Sequence, residues 1–271
     1  MILKPTRNIF AVDLEDWYHS FYQGGTIPNA EDRIESTTET LLKLLDQTQN
    51  HATFFVVGDI AIKHPELIKE IFRRHHEIAS HSHRHLFVFN QTPTQFETDL
   101  KNSKTILEDI IRSPIIGYRA PAWSVSQAKT PWFWSILKKN KFLYSSSLCP
   151  FKTFLYGDDH AITTPHFINS VLEIPPSTFR IFSKNYPFSG GFYLRLLPLP
   201  VIKLFCRTLV KQNIPLNFYI HPREIDPAQP RKPLPAYQHF IHYHNINNTL
   251  NKLRRLFTYY RFTGFKSFFH L

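Results

Sequence analysis

The chain has 271 residues, 42% of them hydrophobic, and a formal net charge of +11. That length allows one large α/β domain or two small ones, and the apolar content is ample for a sizeable core. Its two cysteines, Cys149 and Cys206, exclude a disulfide framework; neither sits in a CxxC pair, so buried thiols in a reducing compartment are expected. The basic excess is confined to the last third: from Ile174 onward there are fourteen Lys/Arg and two acids, Glu224 and Asp226, which leaves 18 Lys/Arg and 19 Asp/Glu before it. Such asymmetry suits an anionic partner. No recognition motif accompanies the charge, so a nucleic acid is not expected. The opening residues lack the apolar core of a secretory leader, and no run approaches the ~18 apolar residues of a spanning helix. A cytoplasmic location is expected, with peripheral contact to the inner membrane as an extension of it.

Taken in chain order, Ile9–Val12 reads as a buried strand. Residues Glu31–Gln47 read as a helix, with Ile34, Leu41, Leu42 and Leu45 on one stripe. Ala52–Val57 is β-branched and aromatic, as a strand is. His64–Arg74 reads as a helix with Pro65 in its first turn, and Glu77–Ser80 as a short strand. Pro93–Ile111 is a helix signalled by Thr92 as N-cap, Pro93 at the first helical position and Gln95 completing a capping box. Ile115–Tyr118 is a strand, Pro131–Asn140 a helix, Phe142–Ser145 a strand and Asn217–Ile220 a late strand. Asp226–Pro235, with its prolines, is a loop. From Asn245 to Leu271 the pattern is a helix followed by a basic, aromatic tail. No clear linker interrupts the chain, which reads as a single domain over residues 1–271 with 245–271 as a C-terminal extension.

Strand–helix alternation predicts a parallel sheet or barrel. The residues with chemical potential fall where predicted strands end, which is where α/β barrels build their active sites. Asp13, Glu15 and Asp16 follow the first strand. His81 and His85 follow the third; at i and i+4 on one helical turn they would share a face and could reach one metal ion, with His83 pointing away. Two imidazoles and one carboxylate make a three-ligand set that leaves a position open, as hydrolytic metal sites do. Arg119 follows the next strand, and His221 the last. A carboxylate at the buried end of a strand needs a partner, and a metal or Arg119 is available.

The ordered series Asp13-Leu14-Glu15-Asp16, Ala52-Thr53-Phe54-Phe55, His81-Ser82-His83-Arg84-His85, Gly117-Tyr118-Arg119-Ala120-Pro121 and Tyr219-Ile220-His221-Pro222 closely resembles the polysaccharide deacetylase family, of NodB homology and carbohydrate esterase 4-like pattern. The opening Val12-Asp13-Leu14-Glu15-Asp16-Trp17-Tyr18-His19 resembles the subgroup found with bacterial exopolysaccharide and PEP-CTERM loci. So do Lys63–Leu67, Ser189-Gly190-Gly191, Arg195-Leu196-Leu197-Pro198 and His221–Pro227. The resemblance spans roughly residues 8 to 262. It implies a distorted (β/α) barrel, often seven-stranded, and a divalent metal. Asp13 corresponds to the catalytic base, and His81 and His85 to metal ligands. The usual third ligand directly after the base is Leu14 here, so Glu15 is the expected ligand and Asp16 the alternative. Arg119 corresponds to the residue that orients the base, Ala122 to the backbone N–H that helps hold the oxyanion, and His221 to the general acid. Tyr219 stands where many members carry the Leu that lines the acetyl pocket. Ser145 stands where subgroup members carry the Asp that partners the acid His.

The resemblance implies removal of N-acetyl groups from hexosamines of a poly- or oligosaccharide, in a lipid-linked form where exopolysaccharide is being made. With nitrogen and oxygen ligands, zinc is the expected ion. Two alternatives stand beside this reading. One is a C–N hydrolase of a small amide; the other is a catalytically impaired glycan-binding or membrane-associated protein, motivated by Ser145. The stripe Leu250, Leu253, Leu256, Phe257 and Tyr260 with the tail Arg261–Phe269 suits an anionic membrane interface.

Overall fold

A computed structural model describes residues 8–21, 30–153, 157–158 and 161–271. Its strands are β1 (Asn8–Leu14), β2 (Thr53–Val56), β3 (Glu77–Ser80), β4 (Gly117–Tyr118), β5 (Tyr144–Ser145), β6 (His166–Ile168), β7 (Val171–Glu173), β8 (Thr178–Ile181), β9 (Lys184–Pro187), β10 (Asn217–Ile220) and β11 (Phe262–Thr263). The helices are α1 (Ile34–Gln47), α2 (Gly58–Lys63), α3 (Pro65–Arg73), α4 (Pro93–Ile111), α5 (Phe133–Lys139), α6 (Gly191–Leu196), α7 (Leu199–Lys211), α8 (Ala236–Tyr243), α9 (Ile246–Tyr259) and α10 (Phe265–Phe269). No helix among the described residues is long and apolar enough to cross a membrane.

The main sheet runs β10-β1-β2-β3-β4-β5-β7-β6 and is parallel throughout except for β6, which returns antiparallel along β7. The path curls as a distorted barrel but stays open between its end strands, β6 and β10. There the free edge of β10 is met by irregular backbone: Ser177 N donates to Asn217 O at 3.1 Å, and Tyr219 N donates to Ser189 O at 3.0 Å. Gly190 is obligatory at that seam, because a Cβ on it would lie 2.4 Å from both the carbonyl oxygen and the ring of Tyr219.

Side chains alternate across each strand, and the two faces make two cores. Phe10, Val12, Leu14, Phe54, Val56, Ile78 and Ile220 pack outward against the helices. Ile9, Ala11, Phe55, Ala79, Tyr144 and Tyr219 fill the interior. The same alternation continues past the strand ends and carries the chemistry: Asp13 shares the inward phase of Ile9 and Ala11, His81 that of Ala79, Arg119 that of Gly117, and His221 that of Tyr219.

β3, α4 and β10 have the predicted bounds, and the Thr92–Gln95 capping box is formed. Three differences have physical causes. The six-residue α2 is too short to show a helical period. Pro198 and Pro200 interrupt the apolar run 196–210 in the sequence, yet they are the N-cap and first turn of α7, where a missing N–H costs nothing. The last residues are no appendage: β11 pairs with β1, and Phe265 is fully buried in the interior, stacked on Tyr144 at 5.2 Å. In α9, Leu253, Leu256 and Phe257 belong to the outer core, with Leu250 and Tyr260 packed against it, so that stripe has no free apolar face to offer a membrane.

Candidate active site

Asp13 lies at the end of β1 and is 3% exposed. Arg119, fully buried just past β4, donates from Nη1 to Asp13 Oδ1 at 2.6 Å. The guanidinium is held on its other edges by Ser146, with Nε donating to Ser146 O at 3.1 Å and Nη2 to Ser146 Oγ at 2.9 Å. Its faces meet the rings of Phe55 at 4.2 Å and Trp123 at 4.9 Å. A planar cation fixed on all edges and faces leaves Asp13 one orientation, with Oδ2 turned to the site.

His81, His85 and Glu15 converge, their ligand atoms all within 4.8 Å of one another and all three residues buried. His85 Nε2 lies 2.6 Å from Glu15 Oε2. His81 Nδ1 donates to the Arg119 carbonyl at 2.8 Å, which fixes the tautomer and leaves Nε2 free as a ligand atom. Burial pushes the His81 imidazole down to about 4, so it is neutral, the ligand form. Burial opposes ionisation of Glu15, but His85, His221 and His81 together hold it well below the usual carboxylate range. A buried carboxylate ringed by imidazoles fits a divalent cation.

Their spacing predicts that the two histidines meet through a helical turn, and they do not. Residues 81–85 are an irregular loop, with Ser82 and His85 at φ of 67° and 56°. The Asp99 carboxylate of α4 accepts the N–H groups of His83 and Arg84 at 2.8 and 3.2 Å, and Ser82 Oγ accepts that of His85 at 2.8 Å. The loop is therefore shaped by Asp99, while His83 turns toward Asp59, 3.7 Å away.

Asp16 is occupied elsewhere. Its carboxylate accepts Trp17 N at 2.7 Å, Arg33 N at 2.7 Å and Ile34 N at 3.0 Å, capping one short helix and the start of α1. Glu15, not Asp16, is thus in the ligand cluster.

His221 follows β10, its Nε2 3.7 Å from both Asp13 Oδ2 and Glu15 Oε1. Burial alone would lower this imidazole, but Glu15, Glu224 and Asp13 raise it above its ordinary value. Tyr219 sets its ring edge against His221 at 5.9 Å and Trp123 at 5.2 Å, forming the wall between them. Ala122 lies in the tight turn after Pro121, half-buried, with φ of 48°. Ser145 makes no hydrogen bond to His221 among the described residues; its Oγ donates to Ser147 Oγ at 2.8 Å.

A family model described as Polysaccharide deacetylase matches residues 25–141, and one described as Domain of unknown function (DUF3473) matches residues 146–270. Residues 25–141 are thus similar to the polysaccharide deacetylase family. Over 111 residues it is 30% identical to a peptidoglycan-N-acetylglucosamine deacetylase of Bacillus cereus, a stretch that covers 38% of this chain and 52% of that protein, so the chain spans about half the length of the curated relative. The fold is similar to that of a crystal structure of a putative polysaccharide deacetylase from Mycobacterium smegmatis, with a TM-score of 0.63 at 19% identity, covering 100% of this chain and 91% of that one. It is also similar to a carbohydrate esterase family 4 pseudoenzyme from Bacillus anthracis, with a TM-score of 0.52 at 11% identity, covering 98% and 66%.

The sequence pointed to every residue of the inner cluster but missed three neighbours. His19 is buried, its ring edge-on to His85 at 5.5 Å. Ser146 positions Arg119. Glu224 faces His221, its Oε2 3.2 Å from Nδ1. The spacing His-Pro-Arg-Glu after a strand is a capping-box signature and could have revealed Glu224.

Proposed function

We propose that this protein is a metal-dependent hydrolase that removes N-acetyl groups from hexosamine residues of a poly- or oligosaccharide. The observation that carries the reading is the meeting of Asp13, Arg119 and His221 over the Glu15–His81–His85 cluster at one mouth of the sheet. A bound divalent metal, zinc by its ligands, would polarise the acetamide carbonyl and acidify water; Glu15, His81 and His85 would hold it.

The remaining work falls to the protein. Asp13, oriented by Arg119, takes a proton from the attacking water through Oδ2. The backbone N–H at Ala122 steadies the developing oxyanion. His221 protonates the leaving amine through Nε2. Tyr219 and Trp123 wall the acyl side, and Tyr219, larger than a Leu, favours a small acyl group there. Acetate and a free amino sugar result.

Support for the substrate class comes from the family and from the Bacillus cereus relative, whose name specifies N-acetylglucosamine in peptidoglycan. A role in exopolysaccharide biosynthesis, on a lipid-linked glycan at the cytoplasmic side of the inner membrane, rests on the motif resemblance at Val12–His19 and His221–Pro227. Acetate release from chito-oligosaccharides, from peptidoglycan and from partially N-acetylated exopolysaccharide tests the proposal, before and after chelation and with zinc restored. Chelator-sensitive release from at least one glycan is expected. Release from small amides but from no glycan would replace the reading with a small-amide hydrolase.

A further inference from the structure

Resting on that reading, we propose that Glu224 and Arg195 form a positioning arm for His221, built by the C-terminal half of the chain. At its root is a buried ion pair in which each side chain is 1% exposed. A buried pair of this kind persists only when its remaining donors and acceptors are satisfied, and the way these are satisfied is informative. Arg195 Nε donates to Glu224 Oε1 at 3.1 Å, Nη1 to His244 O at 2.7 Å and Nη2 to Ile241 O at 2.7 Å. The guanidinium is thereby pinned to the end of α8. The carbonyl of Arg195 accepts Asn245 Nδ2 at 2.9 Å and Lys252 Nζ at 2.7 Å, which ties the last turn of α6 to α9.

The other oxygen of Glu224 serves one residue only. Oε2 accepts the backbone N–H of His221 at 3.1 Å and faces its Nδ1 at 3.2 Å. The Glu224 carboxylate thus stands on the Nδ1 side of the ring. Nε2 is then the atom directed at Asp13 and Glu15, the place where the leaving nitrogen must receive its proton. Backbone and ring of His221 are fixed by the same oxygen, and that carboxylate is fixed by Arg195. Ser145 offers nothing comparable. The segment matched by the domain of unknown function thus gains a definite role, because α6, α8 and α9 hold the partner of the acid.

The chemistry offers a discriminating test. When the amide C–N bond breaks, its electron pair goes to nitrogen, which must take a proton from His221. When an aryl acetate is cleaved, phenolate departs with its pair and needs none. Glu224→Gln keeps the shape but turns an acceptor into an amide. For this variant kcat on N-acetylated chito-oligosaccharide should fall about 10²-fold, with KM within about twofold, while 4-nitrophenyl acetate hydrolysis changes less than about threefold. In a His221→Ala background Glu224→Gln should have almost no further effect, the non-additivity of residues that act as one unit. Arg195→Lys should fall between wild type and Glu224→Gln. Equal losses on both substrates, or additive losses with His221→Ala, would overturn the arm and leave a structural ion pair.

A readout independent of turnover keeps the two proposals separable. Nitrogen-15 NMR of the ring, recorded above the pH at which Nε2 gives up its proton, should show His221 in the Nδ1–H tautomer in wild type and a mixture in Glu224→Gln. A wild type that releases no acetate sinks the deacetylase reading. The same ring tautomer in both proteins sinks the arm.

Discussion

Arg119 meets Asp13 at 2.6 Å through its side chain and His81 at 2.8 Å through its backbone carbonyl. One residue therefore orients the proposed base and sets the tautomer of a metal-ligand candidate. Base and metal positions are coupled by a single turn of chain, which makes Arg119 the least replaceable residue of the site. Truncation to Ala would take from the buried Asp13 carboxylate its guanidinium partner, at a cost of about 3–5 kcal/mol. Arg119→Ala should both melt earlier and lose activity, whereas Arg119→Lys should keep the charge, lose the fork to Ser146 and show the kinetic defect with the smaller stability loss.

The ligand cluster predicts metal content. His81→Ala, His85→Ala and Glu15→Ala should each lose bound divalent metal by elemental analysis, and His83→Ala should keep it. Asp16→Ala should keep metal yet unfold more easily, by about 1–3 kcal/mol, because three backbone N–H groups, two of them buried, lose their acceptor. Metal loss from Asp16→Ala with full occupancy in Glu15→Ala would exchange their roles.

Base and acid should separate from the metal. Asp13→Asn and His221→Ala should retain metal and each lose about 10²–10⁴-fold in kcat. A nearly silent His221→Ala would remove the acid from the mechanism.

The seam between Gly190 and Tyr219 predicts a purely structural defect. Gly190→Ala places a methyl against both the backbone and the ring of Tyr219, an overpacking that costs about 1–3 kcal/mol. A lowered Tm with metal still bound is expected; an unchanged Tm would mean the seam is loose.

His76 predicts a pH dependence. Burial first, with His51, Arg74 and His75 adding, pushes its imidazole from 6.5 down to about 3. Above pH 6.5 the ring is neutral folded or unfolded. Between about 6.5 and 3 the unfolded chain binds a proton that the folded one refuses, so stability falls as pH falls through that window. His76 Nδ1 accepts Ala52 N at 3.2 Å, a bond that Gln can keep. His76→Gln should flatten the acid limb of a denaturation–pH curve by up to about 1.4 kcal/mol per pH unit. An unaltered slope would assign that limb to other buried imidazoles.

Local pattern alone was enough to say which polar side chains gather at the strand ends and where along the fold they stand. Apolar runs end in Asp13, His81, Arg119 and His221, and the inward phase of each residue follows from the two-residue repeat of its strand. Capping at Thr92 was equally legible, since Thr, Pro and Gln act within one turn. Everything that depends on partners distant in the chain waited for the folded molecule. Asp99 bends the His81–His85 loop from another element, so spacing named the right pair for the wrong geometry. Arg33 and Ile34 claim Asp16, which no count of adjacent acids could reveal. The apolar stripe of α9 has the same residues whether it meets lipid or core; packing against the sheet settles it as core. Glu224 stands only three residues from His221 and is legible as its capping partner, but the Arg195 guanidinium that fixes this carboxylate comes from α6 and is seen only in the fold.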